Sequence, residues 1–273
     1  MSVALPAVPP HHAASAAPAA AAAAPDTVVL LHGLGRTRLS LLRLARALEA
    51  EGYRTVNLTY PSRTRPLEWL ASVWLPAQLA AHAPAPSVSA AAPSPRLHLV
   101  THSMGGILVR LWLRENGPPP HLGRVVMLAP PNAGSELPDR LAAWPAFRWA
   151  TSLNGRRLGT GPDSLPRALG PWPAPASPLG VIAGTKPIPL LPFAWVPAPH
   201  DGKVSVASTH LAGESAHLAL PLSHTWLPWH RTTVAAVRAF LRTGAFAPAA
   251  PPAAVPALKS HSLPAAPPAV PAP

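Results

Sequence analysis

The chain has 273 residues, 48% of them hydrophobic and only 12% charged, with 41 prolines and no cysteine. That length holds one large domain or two small ones, and the missing cysteines exclude a disulfide scaffold, a thiolate metal site and a cysteine nucleophile. The formal charge of +12 at pH 7 is the sign that phosphate binding requires, yet only Lys186, Lys203 and Lys259 are lysine, the arginines scatter from Arg36 onward without a run of five, and alanine and proline are in excess, as in GC-rich coding.

Met1 to Pro25 and Ala247 to Pro273 are nearly all alanine and proline, with no apolar periodicity to offset ordering entropy, so both read as disordered tails. The first does not read as a signal peptide: it lacks a basic start, and Pro6, Pro9 and Pro10 interrupt its apolar stretch. Between the tails, Asp26 to Phe246 reads as one domain. Thr27–Leu31 is a buried strand; Arg38–Ala50, with Leu41, Leu44 and Leu48 at helical spacing, is a helix with Gly52 closing its end. Arg54–Leu58 is the next strand, Leu67–His82 a weakly patterned helix, and Pro84 to Pro95 a proline-rich loop. Leu97–Val100 is a strand and Gly105–Glu115 a helix with Ile107, Leu108, Leu111 and Trp112 on its apolar side. Val125–Leu128, Gly180–Ala183 and His217–Leu222 read as further strands, and His230–Leu241 as a closing amphipathic helix. This β–α alternation predicts a mostly parallel sheet with helices on both faces. No stretch is apolar and proline-free enough for a spanning helix.

Leu97-His98-Leu99-Val100-Thr101-His102-Ser103-Met104-Gly105-Gly106 runs an apolar strand into a serine and then directly into a helix. A serine on such a turn projects its hydroxyl above the sheet, and the next backbone N–H and the helix N-terminus favour a developing oxyanion. The plainer alternative is a helix-capping serine, which the whole His-Ser-Met-Gly-Gly string disfavours. Upstream, Val28-Val29-Leu30-Leu31-His32-Gly33-Leu34-Gly35 ends a strand in a histidine–glycine loop, and Tyr60-Pro61-Ser62 follows the second strand.

With these three signals in order, Asp26 to Arg242 resembles the α/β-hydrolase superfamily, in its small bacterial lipase and esterase branch. The resemblance implies the α/β-hydrolase fold, Ser103 as nucleophile, and the N–H groups of Leu34 and Met104 as the oxyanion hole. It gives His32 a loop-orienting role. Thr101 departs from the family pattern, which has glycine there.

The expected order is serine, then acid, then histidine. Asp139, Asp163 and Asp201 are the aspartates after Ser103, with Glu136 and Glu214 as glutamate candidates. Asp201, in His200-Asp201-Gly202-Lys203-Val204, looks like the lipase acid loop Asp-Gly-x-Val, with an insertion separating it from the strand at Gly180–Ala183. Glu136 and Asp139, after the preceding strand, stay open as alternatives. Among the late histidines, His224 follows a predicted strand and precedes the last helix, where a base can reach the serine, and Leu-Pro-Leu-Ser-His-Thr resembles the family's base loop; His230 is the fallback.

The predicted activity is hydrolysis of carboxylic esters through Ser103, His224 and Asp201, with no metal or cofactor. A lipase-like specificity would lie between Pro130 and Pro199, in a cap around residues 132–178. Trp144, Phe147, Trp149, Trp172, Phe193 and Trp195, with Trp226 and Trp229 near the base, suit an apolar acyl group or equally tie a proline-rich loop down. Asn132-Ala133-Gly134-Ser135-Glu136 resembles a family loop without an assigned role. Two other functions stay open: an acyltransferase on the same fold, and a basic protein binding anionic lipid or nucleic acid with an incidental triad. Scattered arginines favour a solvated surface over nucleic acid, with weak attraction to anionic membranes. The expected substrate is a small-molecule or lipid ester, and the expected location cytoplasmic.

Overall fold

The computed structural model describes residues 24–83, 94–141, 153–188 and 196–246. Most of the two expected tails and of the loop at Pro84–Pro95 lies outside those residues. Six strands form one sheet: β1 (Thr27–Leu31), β2 (Arg54–Leu58), β3 (Leu97–His102), β4 (Leu122–Leu128), β5 (Leu179–Gly184) and β6 (Ala216–Leu220), in the order β2-β1-β3-β4-β5-β6. Every neighbouring pair is parallel. A parallel sheet is covered on both faces, so its central strands are apolar throughout. Thr27–Leu31 and Leu97–His102 are buried along their entire lengths.

Alternation within those strands feeds two separate cores. Val29, Leu31, Leu99, Val125 and Met127 pack under the helices built from Leu67–Ala81 and Met104–Asn116. Val28, Leu30, Val100, Val126 and Ile182 pack under Leu42–Glu49 and Arg231–Thr243. The predicted helix at Arg38–Ala50 opens instead as a 3-10 turn, Arg38–Leu41, with Thr37 capping it. The weak pattern at Leu67–His82 resolves as an α-helix interrupted by a π turn at Leu70–Trp74. Pro76 follows directly, and its missing N–H already breaks the regular ladder there.

The chain goes from β1 outward to β2, then returns past β1 to β3. Strand order therefore reverses between β1 and β3, and ligand sites of such sheets form at the carboxyl ends of the strands beside a reversal. The loop after β1 and the turn carrying Ser103 both lie there. Among the described residues, no helix is long and apolar enough to cross a membrane.

Candidate active site

β3 ends at His102 and the next helix begins at Met104, which leaves Ser103 alone on the turn with φ 53° and ψ −123°. An L-residue enters such a region at a cost of about 1–3 kcal/mol unless its surroundings hold it. Here Ser103 N–H donates to Leu128 O at 2.8 Å, fixing the residue to β4. The helix approaches β1 closely because of Gly105: a Cβ there would lie 2.7 Å from Leu31 O and 3.0 Å from His32 O. Gly106 likewise makes room for Thr101, whose Oγ1 would sit 3.4 Å from an added Cβ. Threonine is accommodated where the family pattern has glycine, with its Oγ1 buried and without a hydrogen-bond partner among the described residues.

The loop after β1 is fixed by His32. Its Nδ1 lies 2.8 Å from Gly33 O, and a carbonyl only accepts, so Nδ1 carries the hydrogen. Nε2 then accepts from Tyr60 N–H at 3.1 Å, and Tyr60 OH donates to His32 O at 2.6 Å. Burial lowers the pKa of this imidazole, in keeping with a neutral ring whose two nitrogens are both used. Gly35 N–H donates to Ser62 Oγ at 3.0 Å, so the Tyr60-Pro61-Ser62 string braces the loop that carries Leu34.

Asp201 and His224 meet although 22 residues separate them along the chain. Asp201 Oδ2 lies 2.7 Å from His224 Nδ1, and both side chains are buried. The other oxygen, Oδ1, accepts from Lys203 N–H and Val204 N–H, each at 2.9 Å. One carboxylate oxygen is thus spent on its own loop and the other aims at the imidazole. His224 N–H donates to Asp201 O at 3.0 Å, a second link between the two loops. His102 adds a third: its Nε2–H donates to His224 O at 3.1 Å. Burial is the main cause holding the His102 pKa well below its ordinary value, and His224, Arg36 and Lys203 push in the same direction.

Ser103, His102 and His224 line one cavity of about 250 Å³ together with Leu34. Leu137, Pro138, Leu158 and Val204 give it apolar walls, and Arg36 and Lys203 add two cations. Arg36 Nη2 donates to Thr225 Oγ1 at 3.1 Å, next to His224. Burial first, then Arg36, lowers the Lys203 pKa, against a smaller opposing pull from Asp201.

Solved structures with this architecture are numerous. The mature form of lipase BlEst2 from Bacillus licheniformis superposes with a TM-score of 0.59 at 16% identity, over 82% of this chain and 94% of that one. Lipase 1 from Pelosinus fermentans gives 0.54 at 14% identity, over 77% and 95%. The metagenomic carboxyl esterase MGS0156 gives 0.52 at 19% identity, over 80% and 70%. The fold is that of the α/β-hydrolases. No protein-family model matches the sequence, and no curated protein sequence matches it.

Of the alternative acids, Asp139 is engaged elsewhere, whereas Glu136 Oε2 is buried without a hydrogen-bond partner among the described residues. Asp139 Oδ2 accepts from both Thr160 N–H (2.8 Å) and Thr160 Oγ1 (2.7 Å), closing a surface loop. Glu136 opens the short helix Glu136–Leu141. His230 caps the last helix, its Nδ1 accepting from Thr232 N–H at 3.3 Å. Trp172 is buried and donates Nε1–H to Ser177 O at 2.9 Å, so it ties its loop down. Trp226 is exposed. Trp144, Phe147, Trp149, Phe193 and Trp195 lie outside the described residues.

Several residues without a role assigned from the sequence frame the site. Asn132 Nδ2 donates to Thr209 O at 2.8 Å, and Ser135 Oγ donates to Lys203 O at 2.6 Å, so the Asn132–Glu136 loop clamps the segment following Asp201. Buried Asn154 bonds to Ser62 O, Arg65 O and Leu67 N–H, joining residues after position 152 to the loop after β2. His102 directly precedes Ser103 in the sequence, but its partner is 122 residues away.

Proposed function

We propose that this chain is a serine hydrolase that cleaves carboxylic esters, with Ser103 as nucleophile, His224 as general base and Asp201 as the acid orienting it. The observation that carries this reading is the 2.7 Å pair of buried Asp201 and His224, lining the same cavity as a serine on a strained strand-to-helix turn. Because Nδ1 of His224 faces the carboxylate, Nε2 is the nitrogen left to take the Ser103 hydroxyl proton. Ser103 Oγ attacks the ester carbon, and the N–H groups of Leu34 and Met104 receive the oxyanion. Collapse expels the alcohol, protonated by His224, and leaves an acyl-enzyme. Water, deprotonated by the same imidazole, releases the acid. Asp201 holds the tautomer throughout and stabilises the imidazolium.

The substrate reading follows from the walls. Leu137, Pro138, Leu158 and Val204 suit an apolar acyl group, as do the names lipase and carboxyl esterase borne by proteins of similar fold. A small-molecule or lipid ester is the proposed class.

Turnover of p-nitrophenyl esters across acyl lengths tests the reading. Ser103→Ala is expected to lower kcat by at least about a thousandfold. Equal slow turnover by wild type and Ser103→Ala removes the hydrolase reading. Loss of activity in Asp139→Asn with retention in Asp201→Asn reassigns the acid. Added alcohol or thiol that intercepts the acyl-enzyme faster than water does converts the reading to an acyltransferase.

A further inference from the structure

The segment between Asp201 and His224 carries a second cluster that ester hydrolysis does not use. The short helix Val206–Thr209 leads through a turn into β6, and His210, Glu214 and His217 come together across that turn. One nitrogen from each imidazole and one carboxylate oxygen all lie within 4.8 Å of one another. The two rings stack with centroids 3.8 Å apart and planes at 18°. His210 Nδ1 lies 2.6 Å from Glu214 Oε1.

The hydrogens can be assigned. Thr209 has one hydroxyl hydrogen, and it goes to Val206 O at 2.7 Å. Its 2.8 Å contact with His217 Nε2 must then run the other way, Nε2–H donating to Oγ1. Nδ1 of His217 is left with a bare lone pair. Glu214 is anchored as well, its Oε2 accepting from Leu211 N–H at 3.2 Å. An imidazole that binds a metal usually donates its second N–H to a fixed acceptor, and a carboxylate ligand is itself hydrogen-bonded. Thr209 and Leu211 supply both supports, and Thr209 is pinned further by Asn132 through its carbonyl.

We propose that His210, Glu214 and His217 bind one divalent transition-metal ion, zinc being the best suited. Two imidazoles and one carboxylate match zinc, whereas calcium and magnesium take oxygen shells. Water completes the tetrahedron. For both in-plane lone pairs to converge on the ion, the His210 ring, on a side chain 54% exposed to solvent, turns out of its stack on His217, its hydrogen goes to the other ring nitrogen, and the ion takes the place of the hydrogen now shared with Glu214. The ion ties the turn to β6 within the stretch that runs from Asp201 to His224. Its effect is to stiffen that stretch, with no part in the chemical steps.

The test uses the full chain without a polyhistidine tag, treated with a chelator, desalted, and titrated with Zn²⁺ alone by calorimetry and with Co²⁺ by visible absorption. Expected are one equivalent of each metal, the d–d bands of tetrahedral cobalt, and a Tm higher by about 5–10 °C at a free zinc concentration about 100 times Kd. His217→Gln and His210→Gln lose the equivalent and the Tm shift, and Ser103→Ala keeps both. His210 is exposed, so its variant reports even if His217→Gln does not fold. The 13 histidines of the chain offer other places for zinc, which is why the variants decide. Absence of saturable binding overturns the site, and so does an equivalent that persists in His210→Gln.

Discussion

His102 lines the cavity beside Ser103, and its hydrogen bond runs to the main chain of His224, the proposed base. Its Nε2–H is the side-chain donor to the carbonyl of His224, and the two rings lie 4.8 Å apart between centroids. Burial keeps the ring neutral, so the bond has the same polarity across the pH range in which a histidine base works. Removing it takes away one of three bonds that hold His224 and leaves the two to Asp201, while the apolar walls of the cavity belong to other segments. His102→Ala is therefore expected to lower kcat by about 10–100-fold through misplacement of the base, with KM within about twofold. His102→Gln, which restores an N–H donor, should recover part of the loss. A change confined to KM, or no recovery with glutamine, would remove this positioning role.

At the scale of elements, Arg110 braces the site from behind. It lies in the middle of the helix Met104–Asn116 and is buried. Its guanidinium donates to Asn132 O (3.0 Å), Asn132 Oδ1 (3.2 Å), Pro166 O (2.9 Å) and Gly170 O (2.6 Å). Burial brings its pKa down only to about 10, so it stays charged at neutral pH. Asn132 in turn holds Thr209, so the arginine reaches the segment between Asp201 and His224 in two steps. Arg110→Met strands three buried acceptors and one part-buried one and is expected to lose about 3–5 kcal/mol, read as a lower urea midpoint at unchanged slope. Arg110→Lys should not rescue it, because a single ammonium cannot span both loops. An unchanged midpoint in Arg110→Met would show that water meets those carbonyls. Strands, helices and the serine turn were legible because their signals are local: apolar runs, a 3.6-residue period, a strand meeting small residues. Arg110 was not. Its partners lie 22, 56 and 60 residues away, and a periodic pattern reads any arginine as solvent-facing. The Asp201–His224 pair was legible for the opposite reason: chain order and the scarcity of acids narrowed the choice before any geometry was known.

Across the whole molecule, three buried histidines make stability depend on pH. His32 and His102 are held neutral as described, and burial likewise lowers the pKa of His98. His98 Nδ1 accepts from Arg124 N–H at 2.8 Å, and Nε2 faces Asp26 Oδ2 at 3.2 Å. Protonating His32 or His98 therefore sets a new hydrogen against a backbone N–H that already points at that nitrogen. In the unfolded chain each ring titrates near its ordinary value, about 6.5. Below that pH the unfolded state binds more protons than the native state, so stability rises with pH and falls on acidification. Each ring contributes up to about 1.4 kcal/mol per pH unit between 6.5 and its own lowered value. Glu68, whose pKa is lowered first by its hydrogen bond from Arg157, adds a loss of the same sign, but it begins only as pH approaches the carboxylate range. The fall between pH 6.5 and 5.5 thus belongs to the histidines. Self-repulsion works in the same direction, since a chain already at +12 gains further positive charge as it acidifies. Urea midpoints at pH 7.5, 6.5 and 5.5 should be nearly level over the first interval and drop over the second. A curve flat down to pH 5.5 would mean that these rings accept protons without disturbing the fold, and that the bonds drawn through their lone pairs contribute little to holding it.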